Sequence, residues 1–144
     1  MSERFKSVVC ADLLITKIIE GQKYVLLMKR KNTGFNDGEY EIPGGHLEPN
    51  EDLFLGMIRE AKEELLLDLH RNDLKVIHLM HHYTGERLNF IFEADGEFLN
   101  PQIGETDKCE KLEWFPISNP PKNTTKKVQK MLKNISNNIF YDYM

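Results

Sequence analysis

Pro43-Gly44-Gly45, followed a few residues later by a run with helical period, restricts this chain more than any other stretch. Paired glycines let backbone come close to whatever faces them. Beyond them, Phe54, Met57, Ile58, Ala61 and Leu65 fall on one side at about 100° per residue, which predicts a helix over 51–65. Asn50 is placed as its N-cap, with Glu51 and Asp52 at the positive end of the helix dipole. The flanking segments are β-branched and apolar. Residues 7–19 and 24–29 predict strands around a turn at 20–23, and 31–41 predicts a loop. Residues 74–84 and 87–94 predict strands joined by a hairpin at Thr84-Gly85-Glu86, and 111–115 a short strand stopped by Pro116. Val128, Met131, Leu132, Ile135 and Ile139 mark an amphipathic C-terminal helix over about 123–139. Strands, helix, strands, helix predict an α/β chain in which helices pack on a mixed sheet, one domain over 1–144.

The same helix carries an unusual charge pattern. Glu60, Glu63 and Glu64 stand at i, i+3 and i+4 and share one face, where like charges repel by a few tenths of a kcal/mol per pair. The plain alternative is a solvated acidic face with Arg59 paired to Glu63. A hard divalent cation would remove the repulsion, because Mg²⁺ and Mn²⁺ prefer oxygen ligands. Carbonyls of the glycine turn together with helix carboxylates suit such an ion, and Gly56, one turn earlier, is expected to leave room for a ligand.

The spacing resembles the box of the Nudix hydrolase family, G-x5-E-x7-R-E-U-x-E-E-x-G-U with U a bulky aliphatic. Here Gly45 opens it, Glu51 follows, then Arg59-Glu60, Ala61, Glu63-Glu64 and Leu67; the approach YEIPGG is similar to the family's W-x-x-P-G-G. The resemblance implies an α/β/α sandwich with a mixed sheet between helices. It also implies hydrolysis of a nucleoside diphosphate linked to another moiety, with Mg²⁺ or Mn²⁺ as cofactor. Within that class a MutT-like nucleoside triphosphate pyrophosphohydrolase is the first expectation. ADP-ribose or dinucleoside polyphosphate hydrolysis, or a non-catalytic nucleotide-binding domain, are the alternatives. Carried over by position, Gly45, Glu60, Glu63 and Glu64 are the metal ligands, Arg59 orients a carboxylate, and Glu51 braces the loop. Glu60, or Glu105 outside the box, is the candidate general base. Leu66 replaces the family glycine, and the helix is therefore expected to end differently, running on towards Asp68.

Other signals are weaker. Arg30 and Arg87 are candidate phosphate contacts, and Phe35, Tyr40 and Tyr83 candidate stacking surfaces. His78, His81 and His82 lack a spaced partner for zinc and are taken as strand histidines, while His46 lies in the box loop. Residues 1–115 hold 14 Lys+Arg against 22 Asp+Glu, and 116–144 hold 5 lysines against Asp142. That acidic body argues against nucleic acid as partner and leaves a small nucleotide. No apolar run approaches the roughly 20 residues of a membrane span. The N-terminal residues lack a signal-peptide layout and the two cysteines, Cys10 and Cys109, are expected to stay unbonded, which together predict a cytoplasmic protein. A homodimer is left open.

Overall fold

The computed structural model describes residues 3–84 and 86–144. Its longest strand, β1 (Val8–Ile19), lies at the centre of an eight-stranded mixed sheet. β2 (Gln22–Arg30) folds back antiparallel on it, and β6 (Arg87–Asp95) runs parallel on its other side. β3 (Tyr40–Glu41) and β7 (Cys109–Pro116) pair with β2, while β4 (Gly44–His46) pairs with β1. β5 (Lys75–His81) lies between β6 and β8 (Tyr141–Tyr143).

β1 reads as a nearly unbroken apolar run because both of its faces are covered. Ala11, Leu13 and Ile15 point to α1 (Leu53–Leu65) and join Met57, Ala61, Leu65 and Phe92 in one core. Leu14 points the other way, to α2 (Lys126–Ser136), and joins Val128, Met131, Leu132, Leu27 and Ile91 in a second core. Each of the Leu, Ile, Val, Met and Phe side chains among them contributes roughly 1.5–3 kcal/mol on burial. The arrangement is the expected α/β/α sandwich, and it fastens α1 to one face of β1 beside the glycine turn.

Several local expectations are corrected. α1 starts at Leu53, and its N-cap is Asp52, whose side chain accepts the Phe54 N–H at 3.2 Å. Asn50 instead adopts a left-handed conformation (φ 64°) in the preceding turn. The helix does not run on to Asp68. Leu66 itself takes the left-handed position (φ 54°), its N–H bonding Lys62 O at 3.1 Å and the Leu67 N–H bonding Ala61 O at 3.3 Å. This is the glycine-type helix end made with leucine. Leu65 and Leu67 are both buried and pin the chain on either side, so exposed Leu66 has to absorb the turn. α2 is shorter than expected, because Asn123 and Thr124 run alongside Tyr40 and Thr125 caps the helix. β4 and β8 are too short to show a period in the sequence. Of the expected hairpin, Gly85 lies outside the described residues. Cys10 and Cys109 are free thiols. Among the described residues no helix is long and apolar enough to cross a membrane.

Candidate active site

The glycine turn sits directly on the acidic side of α1. A Cβ on Gly44 would run into the Asp12 carboxylate and the Ala11 carbonyl across the β1–β4 pair. A Cβ on Gly45 would stand 2.5 Å from Glu60 Oε1. Close approach of backbone therefore requires glycine at position 44, whereas at position 45 a side chain would displace the Glu60 carboxylate. The Gly44 N–H donates to Glu64 Oε2 at 2.9 Å, tying the turn to the helix.

Arg59 organises the outer part of the box. Its Nε donates to Glu51 Oε2 at 2.7 Å and its Nη2 to Glu51 Oε1 at 3.0 Å, a two-pronged pair. Nη1 reaches Glu60 at 3.1 Å and Glu63 at 3.4 Å, and Nη2 reaches the His46 carbonyl at 3.2 Å. Glu51 in turn accepts the Glu48 N–H at 2.9 Å. The guanidinium holds the Glu51 carboxyl below its ordinary range, and Glu51 above all raises the pKa of Arg59. Gly56 does not leave room for a ligand, as the sequence suggested. A Cβ there would meet Leu47 and Glu51, so the glycine admits the box loop onto the helix.

Glu64 lies in a different environment. Burial, and then the Glu60 charge, push its carboxyl up to about 8, with Glu105 and Asp12 adding to the effect. Burial also raises Glu60; Arg59 offsets this, while Glu63 and Glu105 add to it. Glu105 arrives through the loop before β7. The Gln102 and Gly104 N–H groups bond the Leu65 and Glu64 carbonyls, both at 2.9 Å, at the end of α1. A Cβ on Gly104 would collide with the Glu63 carbonyl, so this docking needs glycine as well.

Among the described residues no three His, Cys, Asp or Glu side chains already stand in a metal-holding arrangement. Glu63 is turned onto Arg59 and Glu64 onto the Gly44 amide. The donor set still fits a hard cation: oxygens only, of like charge, with Glu60 and Glu64 desolvated by burial.

Two cavities flank residues 41–44. One, of about 370 Å³, is lined by Gly44, Glu64, Glu105, Arg30, Thr33 and Lys108 among others, so Arg30 joins the acidic group. The Arg30 Nε also donates to Phe35 O at 2.9 Å. The other, of about 360 Å³, is lined by Phe35, Glu41, His82, Arg87, Thr125 and Lys127 among others. The two candidate arginines thus serve different cavities. His78 is buried with Nδ1 2.9 Å from Ile139 O, and His81 packs on Tyr143, so these histidines are structural. Sequence reasoning missed Asp12, Glu41 and Lys127. They come from β1, β3 and α2, and no spacing links them; Glu41 immediately before Ile42-Pro43-Gly44-Gly45 was the one available sign.

A glycine turn lies on a helix of paired glutamates, clamped by one arginine, in a strand–loop–helix site. The NUDIX domain model matches residues 11–135, and the chain belongs to that family. It is 31% identical over 112 residues to an ADP-ribose pyrophosphatase of Methanocaldococcus jannaschii, a match covering 73% of this chain and 62% of that relative. The chain thus spans less than two-thirds of the length of that curated relative. A MutT NUDIX hydrolase structure from Burkholderia pseudomallei superimposes with a TM-score of 0.72 at 26% identity, covering 89% of this chain and 97% of that one. The MutT protein of Methanosarcina mazei Go1 gives 0.71 at 18% identity over 94% of this chain and 97% of that one, a likeness of fold.

Proposed function

We propose that the protein hydrolyses a phosphoanhydride bond in a nucleoside diphosphate linked to another moiety, with Mg²⁺ or Mn²⁺ held by Glu60, Glu63, Glu64 and the Gly45 carbonyl. The observation that carries this is the Glu60–Glu64–Glu105 group: burial, then the charges of Glu60 and Glu105, raises the proton affinity of Glu64, burial and Glu105 raise that of Glu60, and among the described residues no Lys or Arg forms an ion pair with Glu64. Bound there, the ion would offset charge on the phosphates and make water a stronger nucleophile. Arg59 fixes Glu60 and Glu63. Glu105, or Glu60, takes the proton of the attacking water. Arg30 and Lys108, in the same cavity, suit the departing phosphates. Phe35 and Arg87 in the neighbouring cavity suit the nucleoside side of the substrate.

A nucleoside triphosphate is the first substrate within this class, in keeping with the likeness to the MutT NUDIX hydrolase. ADP-ribose is the second, and the 31% identical relative favours it. A panel of nucleoside triphosphates, ADP-ribose and dinucleoside polyphosphates assayed with Mg²⁺ or Mn²⁺ tests both. Released pyrophosphate marks the first, AMP with ribose 5-phosphate the second. Absence of any metal-dependent product overturns the proposal.

A further inference from the structure

Asp12 and Glu41 are buried acids, 6% and 7% exposed, outside the carboxylate group just described. Unpaired, each would be costly. Lys127, on the first turn of α2, is three-quarters buried with its Nζ 3.8 Å from Glu41 Oε1. Burial works against its ammonium, yet Asp12 and Glu41 hold its pKa above the ordinary value. Lys127 therefore pairs with buried Glu41 and places its charge in reach of, though not in contact with, buried Asp12.

Both carboxylates lead to the glycine turn. Glu41 Oε1 accepts the Ile42 N–H at 3.1 Å, and Oε2 accepts the Thr125 hydroxyl at 3.0 Å. Asp12 accepts from Asn89 Nδ2 at 2.7 Å and lies against Gly44 across the strand pair. The Gly44 N–H then fixes Glu64. The backbone reinforces the connection: Tyr40 N–H bonds Asn123 O at 2.9 Å, Thr125 N–H bonds Tyr40 O at 3.0 Å, and Leu13 N–H bonds Pro43 O at 2.8 Å.

We propose that Lys127 is a positioning residue for the active-site turn: through Glu41 and Asp12 it holds residues 41–44, and with them Glu64, in register on α1. The proposal rests on the reading of Glu64 as part of the active site. It makes the start of the C-terminal helix part of the active-site frame.

The test uses the full chain with Lys127→Met and Lys127→Arg. With the substrate that the panel identifies, Lys127→Met should lower kcat about 10- to 100-fold, the range of lost supporting contacts, with KM within about twofold. Lys127→Arg should recover most of it. In metal-free protein, the ¹⁵N–¹H resonance of Gly44 should move in Lys127→Met and return in Lys127→Arg. A raised KM with unchanged kcat and an unmoved Gly44 resonance would make Lys127 a direct substrate contact and overturn the proposal. Should Lys127→Met fail to fold, Glu41→Gln removes the same ion pair while leaving an acceptor for Thr125. It should move the Gly44 resonance too, and an unmoved resonance counts against the proposal. If wild type turns over no nucleotide, the proposed function fails, while the Gly44 resonance still decides whether Lys127 positions the turn.

Discussion

Glu51 and Glu64 belong to the same box and face opposite electrostatics. At the start of α1, Glu51 is gripped by one edge of the Arg59 guanidinium, through Nε and Nη2, and its proton affinity falls. At the end of the helix, Glu64 is buried beside Glu60 and Glu105 with one backbone N–H as partner, and its proton affinity rises to a pKa of about 8. The first carboxylate spends its charge on holding the loop to the helix. The second holds its proton up to about pH 8, because among the described residues no cationic side chain pairs with its ionised form. A charge settled internally supports the fold, whereas a buried charge left unsettled marks where a cation belongs.

The largest effect is expected from Glu64→Gln, which removes the carboxylate that a cation would ionise and keeps size and helix propensity. Turnover should fall by orders of magnitude, since the ion's chemistry depends on its ligands. The melting temperature of the metal-free variant should stay level or rise, because like-charge repulsion drops. Mg²⁺ or Mn²⁺ should raise the melting temperature of wild type more than that of the variant. Glu60→Gln should behave alike. Unchanged turnover in both variants would erase the distinction between the two ends of α1.

Arg59→Lys probes the settled end. Lysine keeps the charge and loses the fork that spans Glu51, Glu60 and His46. Loss of those charge-assisted bonds should cost roughly 1–3 kcal/mol of stability, read from urea unfolding. Here, in contrast to Glu64→Gln, stability and turnover should fall together.

The pH dependence of the metal-free protein should separate the ends again. Glu64 binds its proton more tightly when folded, at a pKa of about 8 against 4.5 for the free side chain. Stability should therefore decline as pH rises between those two values. Glu51 acts the other way: its lowered pKa contributes stability above the ordinary glutamate range that is lost on acidification. Urea midpoints in EDTA across this range should slope downward in wild type and flatten in Glu64→Gln. An equal slope in both would place the titration elsewhere.

Much of this was legible in the sequence because it is local. The period of α1, the Gly45–Leu67 spacing and the two-sided apolar run of β1 each sit within a short window. Glu105 could be named from the sequence only through the resemblance to the family, and its seat beside Glu64 depends on Gly104 docking on the end of α1. The Asp12–Glu41–Lys127 group was not legible. Its members are brought together by β1, β3 and α2, and a buried ion pair looks like scattered surface charge until the strands are assembled. Gly56 misled for a related reason: the space that it opens is filled by Leu47, whose return onto α1 is tertiary.

The smallest expected effect concerns Leu66, where the C-terminal end of α1 meets a backbone rule rather than a charge. A non-glycine residue in the left-handed region costs about 1–2 kcal/mol. Leu66 accepts that cost at φ 54° because its N–H and that of Leu67 close the helix on Lys62 and Ala61. Its own side chain is 57% exposed and contributes little burial. Leu66→Gly should relieve the strain and lose some of the gain to the freer unfolded chain, leaving a net stabilisation of about 0.5–1 kcal/mol. Leu66→Ala removes the same side-chain bulk and keeps the Cβ, so it should gain nothing. Thermal unfolding of the two variants beside wild type distinguishes strain from side-chain loss. If alanine stabilised as much as glycine, the exposed leucine side chain would be the source of the cost, and the helix end would carry no backbone strain. Turnover should follow neither change, because the Gly44–Glu64 bond and the docking of Gly104 lie on the helix side of Leu66 and persist in both variants.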